Sequence, residues 1–280
     1  MSTSVSPIPA GREDAPPTPI PVAGDSLRAR TERFWLPALA ILVVLGIWEI
    51  VAQINGLGIW VQYISNPIDA AKAGWNMATS GELWHNTTGS LEAFVIGFAI
   101  SAAIGVPLGL LMGWSRIARE LLDPPINFLN ATPRLALLPV IVVWLGIGLK
   151  STIVVVVLDA VIPVVFNAMA GVRDVDVRLV QTARSFGASK PELFRKILLP
   201  ASTPAIITGI RLAVARGVLG VIVAELYVST AGIGHLIQTY GQAFRVNQVV
   251  FLVILVAVFG QLLNLALQKF ERRFESWRGV

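Results

Sequence analysis

Six stretches of this chain run for about 20 residues each with few charges, roughly at 34–54, 88–114, 126–146, 152–172, 201–224 and 249–267. That length is what a helix needs to cross a bilayer's hydrocarbon core. In lipid every backbone N–H and C=O must find a partner inside the protein, which leaves helices or a closed barrel. Barrel strands alternate apolar and polar residues over about 10 positions. The runs here are continuous, so they predict an all-α integral membrane protein with six transmembrane helices. Composition agrees: charged residues make up 14% of the chain, against about 25% in a typical soluble domain.

Several chemistries are excluded early. There is no cysteine, hence no disulfide, thiolate nucleophile or cysteine-bound metal. The two histidines, His85 and His235, are far apart near expected membrane boundaries and read as ordinary polar residues. With no His-x-x-Glu-His arrangement and no nucleophile–base pair, an intramembrane enzyme has little to be built from. The string most like a phosphate loop, residues 146–152, lacks the two-glycine spacing and a glycine before Lys150. No nucleotide, metal or cofactor site is expected in this chain.

Residues 1–33 are rich in proline, serine and mixed charge and are expected to be a disordered cytoplasmic tail. The following run, 34–54, is too long for a signal-peptide core and reads as a first anchor helix. An extracytoplasmic segment, 55–84, contains a short surface helix at 66–80. A five-helix core covers 85–270, and 271–280 is a cytoplasmic tail. Positive charge sets the orientation. Sixteen of the 22 Lys and Arg residues flank the spans on one side and three (Lys72, Lys150, Arg245) on the other, with Arg134, Arg211 and Arg216 inside spans. Both termini are therefore expected in the cytoplasm, and the net charge of +5 is a topology signal, with no nucleic-acid partner implied.

In the second span Gly97, Ser101, Gly105, Gly109 and Gly113 recur every four residues. Small residues at that spacing make a groove in which another helix packs closely. Pro133, Pro139 and Pro163 lie inside spans, where each removes a backbone hydrogen bond and can kink a helix, for gating or for packing.

The longest cytoplasmic loop, 173–200, carries strong local signals. Asp174 or Asp176 can cap a helix that Val177, Val180 and Ala183 continue. Gly187 supplies a left-handed stop. Ser189-Lys-Pro-Glu192 reads as a second start, with proline in the first turn and glutamate three residues after the cap. Two short helices at a fixed angle are predicted on the cytoplasmic face.

Gln181-Thr182-Ala183, three residues, Gly187, nine residues, then Ile197-x-Leu199-Pro200 resembles the EAA motif of binding-protein-dependent ABC importer permeases. The spacing agrees throughout, while Gln181 and Thr182 depart from Glu and Ala. Gly105-Val-Pro-Leu-Gly109, Trp144-Leu-Gly-Ile-Gly148, Gly209-Ile-Arg-Leu-Ala213, and Ala224-Glu225 followed by Gly232-Ile-Gly234, are similar to the nitrate/sulfonate/taurine class. The resemblance covers approximately 84–273. It implies a type I ABC importer permease fold in a bacterial inner membrane, with Gln181, Thr182, Ala183, Ser185, Phe186, Gly187, Ala188 and Ser189 coupling to a separate ATPase that binds ATP-Mg. It further implies a homodimer flanked by two ATPase copies, a lipid surround, an extracytoplasmic substrate-binding protein, and a small anionic solute.

Mid-membrane charges cost about 2.5–3.5 kcal/mol each on insertion scales, so each needs a reason. Glu49 and Glu92 fall near expected outer ends. Arg134, Asp159, Arg211, Arg216 and Glu225 remain. Two readings stand: an arginine lines the route of an anion, or it forms a structural ion pair with Asp159 or Glu225. Arg211 and Arg216 are five residues apart, about 140° around a straight helix, so at most one faces a narrow pathway squarely. The competing functional class is an ion-gradient-driven transporter or channel. It would favour repeated halves and relays of buried carboxylates, whereas this chain has no internal repeat and one deep carboxylate, Asp159.

Overall fold

The computed structural model describes residues 27–53 and 65–275, all of whose regular structure is helical. Most of the expected N-terminal tail, residues 54–64 and the last five residues of the expected C-terminal tail lie outside the described residues.

The chain divides into two units, 1–51 and 52–280. The first is represented by α1 (Leu27–Ala52). It begins seven residues before the expected anchor, so 27–33 is helical where disorder was expected. Low apolar content argues against burial, but Leu27, Arg28, Ala29, Arg30, Glu32 and Arg33 are good helix formers.

In the second unit, α2 (Pro67–Thr79) starts where expected, with the Asn66 side chain accepting the Asp69 N–H at 2.7 Å. It is more than a surface helix. Ala70, Ala73, Gly74 and Met77 are buried, and the Phe251 ring covers Gly74. Then come α3 (Glu82–Trp114), α4 (Arg116–Ala131), α5 (Arg134–Leu145) and α6 (Leu149–Arg173). Next are α7 (Val177–Ser185), α8 (Lys190–Leu193) with a π-turn at Phe194–Leu198, and α9 (Leu199–Val228). α10 (Ile233–Gln242) and α11 (Val246–Glu275) complete it.

Among the described residues four helical segments are long and apolar enough to cross a membrane: Glu82–Trp114, Leu149–Arg173, Lys190–Val228 and Val246–Lys269. Two expectations are corrected. The span expected at 126–146 is not one helix: α4 and α5 meet at a bend of 99°. Pro133 is the cause. A residue before proline is pushed out of the helical region, and Thr132 is extended with ψ 126°. The second correction concerns α8. Instead of ending before span five, it runs into α9 through the π-turn, in which the Leu199 N–H donates to the Phe194 carbonyl. Pro200 has no N–H to give, and the widened turn accommodates its ring without breaking the helix.

α6 is the central helix, with α3 on one side and α9 on the other. The four-residue stripe on α3 faces it: a Cβ at Gly97 would sit 2.7 Å from Val156 Cβ, at Gly105 2.9 Å from Val164 Cβ, and at Gly113 2.6 Å from Val172 Cβ. Ser101, fully buried, returns its hydroxyl to the Gly97 carbonyl at 2.7 Å. The other seam is similar. A Cβ at Gly209 would lie 2.7 Å from Asn167 Cβ, and one at Gly171 2.7 Å from Ala205 Cβ. In lipid, where helices gain little from hydrophobic burial against each other, such close backbone approach supplies the van der Waals packing.

Candidate functional site

Three places on this scaffold collect the chemistry. The first is the elbow between α6 and α9. The Asp176 carboxylate accepts the Arg178 N–H at 2.8 Å and starts α7, which resolves the choice between Asp174 and Asp176. At the other end Gly187 adopts φ +80°. The Ala188 N–H reaches the Ala183 carbonyl at 3.1 Å and the Gly187 N–H the Arg184 carbonyl at 2.9 Å, the paired bonds of a Schellman stop. α8 then begins with the Glu192 carboxylate accepting from the Ser189 N–H (3.1 Å) and hydroxyl (2.8 Å), with Lys196 at 3.0 Å on its other oxygen. Of the eight expected coupling residues, Gln181, Thr182, Ser185, Phe186, Gly187 and Ser189 are exposed and Ala183 and Ala188 half-buried. No residue of α7 is buried, and Phe186 is 88% exposed.

The second place is a pocket of about 230 Å³ beside the α4–α5 break, lined by Asn130, Arg134, Asp159, Asn167 and Arg216 with apolar neighbours. Asp159, Pro163 and Asn167 share one face of α6 because they are spaced by four. Arg134 Nε lies 2.8 Å from Asp159 Oδ1, and both side chains are largely buried. The same guanidinium donates to the Asn130 carbonyl at 3.1 Å, closing the end of α4. A Cβ at Gly220 of α9 would touch Asp159 Oδ2 at 3.1 Å. Arg216, one turn earlier on that face, lines the same pocket as the carboxylate without reaching ion-pair distance of it. So Arg134, Asp159 and Arg216 come together, and Arg211 is not among the residues lining the pocket. Asn167 was not singled out from the sequence, although it stands eight residues after Asp159.

The third place is Glu225, 2% exposed. Among the described residues it forms no salt bridge, contrary to one reading of the sequence. Its Oε2 accepts from the Ser90 hydroxyl at 2.8 Å and from the Gly234 N–H at 2.9 Å. Alongside, the Gly232 N–H donates to Asn86 Oδ1 at 2.8 Å and the Ile233 N–H to Ser90 Oγ at 2.9 Å. The first N–H groups of a helix have no partner within it, and here α3 and α9 supply acceptors for the start of α10. A negative charge also suits that end of the helix dipole. Gly232 lies directly against the Glu225 carboxylate, at φ +108°, where a side chain would collide. Further along α10, the Tyr240 hydroxyl donates to Glu82, 2.7 and 2.8 Å from its two oxygens. Burial first, and then that hydrogen bond, hold the phenol proton up to about 12.

With this geometry in hand, comparison with known proteins gives a consistent result. The family described as "Binding-protein-dependent transport system inner membrane component" matches residues 105–276. The chain is 32% identical over 246 residues to the putative aliphatic sulfonates transport permease protein SsuC of Bacillus subtilis, covering 87% of this chain and 88% of that one. It is 34% identical over 197 residues to the taurine transport system permease protein TauC of Escherichia coli (70% and 72% covered). To the nitrate import permease protein NrtB of Leptolyngbya laminosa it is 28% identical over 249 residues (85% and 87%). Among solved structures it shares its fold with a chain of the inward-facing MetNI methionine ABC transporter, with TM-score 0.60 and 21% identity over 69% of this chain and 97% of that one.

Proposed function

The chain belongs to the family of binding-protein-dependent ABC importer permeases, and from that premise we propose that it carries a small oxyanion of the sulfonate or nitrate kind across the bacterial inner membrane. Members are transport components and not enzymes; ATP is hydrolysed by a separate subunit, and a substrate-binding protein delivers the solute. In this reading two copies of the permease pair and two ATPases flank them. α1, α3, the bent α4–α5 pair, α6, α9 and α11 make six crossings, with both termini in the cytoplasm. Residues 181–189 dock on the ATPase, and Arg134, Asp159 and Arg216 line the route. Glu225 serves instead to fix α10.

The observation that supports this most directly is the elbow. Its hydrogen bonds are closed within itself, its aromatic tip at Phe186 is almost wholly exposed, and it carries the motif spacing. An exposed phenylalanine on a locally fixed turn, on a chain that has no nucleotide site of its own, suits insertion into a partner. ATP closing the ATPase pair would then bias the pore between two states that the solute also biases, so that the two ligands are thermodynamically linked.

The test is reconstitution of the permease with its ATPase and binding protein in liposomes, comparing Phe186→Asp with the parent. The variant is expected to co-purify poorly with the ATPase and to lose at least about tenfold in ATP-dependent uptake. Its thermal midpoint should not move, since Phe186 contributes nothing to the core. Undiminished uptake and co-purification would rule out the elbow as the docking element.

A further inference from the structure

The polar pocket at the α4–α5 break holds two arginines and one carboxylate, a net charge of +1. It lies deep. Asp159 is ten residues along α6 from Leu149, about 15 Å at 1.5 Å per residue, which is about half the thickness of the hydrocarbon core. An uncompensated charge there is expensive. Asp159 is held by Arg134 at 2.8 Å. Among the described residues no carboxylate stands within ion-pair distance of Arg216. Asn130 and Asn167, which line the same pocket, add amide groups able to hydrogen-bond a small polar guest.

We propose that this pocket is a transit site for one monovalent oxyanion, a sulfonate or nitrate without an ammonium group, and that Asp159 is its resident competitor. This deepens the solute reading given above and rests on it. The incoming anion meets Arg216 first and brings the pocket to neutrality. It then competes with Asp159 for Arg134. Asp159 retakes Arg134 when the pore turns inward, which returns the anion to a weaker hold on Arg216 and lets it leave. The ion pair thereby prevents two strongly donating arginines from trapping the solute. A zwitterion fits less well, because its ammonium would have to draw Asp159 from Arg134.

The permease–ATPase complex, without binding protein, is dialysed against radiolabelled methanesulfonate, and uptake of methanesulfonate and nitrate is measured in the full reconstituted importer. Arg216→Gln should abolish binding and cut uptake at least about tenfold, and Arg216→Lys should restore part of both. Asp159→Asn should bind methanesulfonate about tenfold more tightly yet import it more slowly, a split that loss of a structural ion pair would not produce. Each variant is checked for co-purification with the ATPase, so a folding defect is visible. Wild-type import that Arg216→Gln leaves intact, or weaker binding in Asp159→Asn, would overturn the site alone. A wild-type importer that hydrolyses ATP but moves neither anion would sink the solute reading, and the site with it.

Discussion

Along the α3–α6 seam, glycines bring two helices so close that a single added methyl at Gly105 would come within 2.9 Å of a valine Cβ. In the elbow, no residue of α7 is buried at all, and a Cβ added at Gly187 would meet nothing within 4 Å. The same residue type thus serves opposite purposes. In the bundle glycine is chosen for the space it vacates. In the elbow it is chosen for a backbone angle, φ +80°, that L-residues with side chains adopt only at a cost. The bundle is rigid because its parts press on each other. The elbow is held mainly by its own closed hydrogen bonds, with Val180 resting half-buried against the core. Damage to the first should appear as lost stability, and damage to the second as lost coupling at unchanged stability.

The largest effect is expected at Gly109, where a Cβ falls on the Val165 carbonyl and within 2.7 Å of Ala168 Cβ. Backbone cannot retreat as a side-chain tip does. Gly109→Ala should cost about 3 kcal/mol, the upper part of the range for overpacked cores. In a chain of this size that lowers the thermal midpoint by roughly 6–12 °C. A shift under about 2 °C would mean the seam is softer than its geometry. Next comes Glu225→Ala, which removes the acceptor for the Gly234 N–H and the Ser90 hydroxyl. A buried donor left without a partner costs about 1–3 kcal/mol. The midpoint should fall by less than at Gly109, and the amides of Ile233 and Gly234 should exchange faster. Unchanged exchange there would show that Glu225 does not hold α10.

What was legible beforehand follows the same division. The α3 stripe was readable because small residues at i and i+4 have one use in a lipid-facing helix. The elbow was readable because Asp176, Gly187 and Ser189 act on backbone within a few residues of themselves. In the third span the missed feature was the sharpness of the bend: Pro133 was read as a possible kink, whereas Thr132, pushed extended ahead of it, turns the chain by 99°. The π-turn at Phe194–Leu198 had no sequence signal beyond Pro200, and it joins α8 to α9 without a break. The pairings Arg134–Asp159 and Glu225–Ser90 join residues 25 and 135 positions apart. Only the packing of α4–α5, α3 and α9 around their neighbours brings them together, so a list of intramembrane charges could name Arg134, Asp159 and Glu225 without choosing partners, and it left out the uncharged Ser90.

Gly187→Val tests the elbow's side of the comparison. Forcing a β-branched residue to φ +80° costs roughly 1–2 kcal/mol, and the added side chain would meet nothing within 4 Å of its Cβ. The segment should open instead of straining the bundle. ATP-dependent uptake is expected to fall about tenfold while the thermal midpoint holds within about 1 °C. A midpoint that falls together with uptake would mean that the elbow is integrated with the core after all, and the contrast would collapse.

The smallest effect, Asp176→Ala, sharpens the contrast most finely. Its carboxylate makes one capping bond, to the Arg178 N–H, and loss of such a cap costs about 1 kcal/mol. In a helix packed on a core, that cost adds to the global balance and lowers the melting point by a few degrees. α7 has only nine residues and no buried one, and Val180 touches the core only half-buried, so the helix sits near the margin where helices form at all. The cost should therefore stay local. About 1 kcal/mol is a factor of roughly five in the fraction of time α7 is formed, which predicts amide exchange through 178–181 faster by about that factor. With the docking proposed above, uptake should fall by no more than about fivefold, since a partner that orders the helix does so at the expense of its own binding. The readout that matters is the pairing of the two: local exchange and uptake altered together, with the melting curve superimposable on the parent's. If the curve shifts while exchange through α7 does not, the cap belongs to the bundle's cooperative unit and the elbow is no separate device.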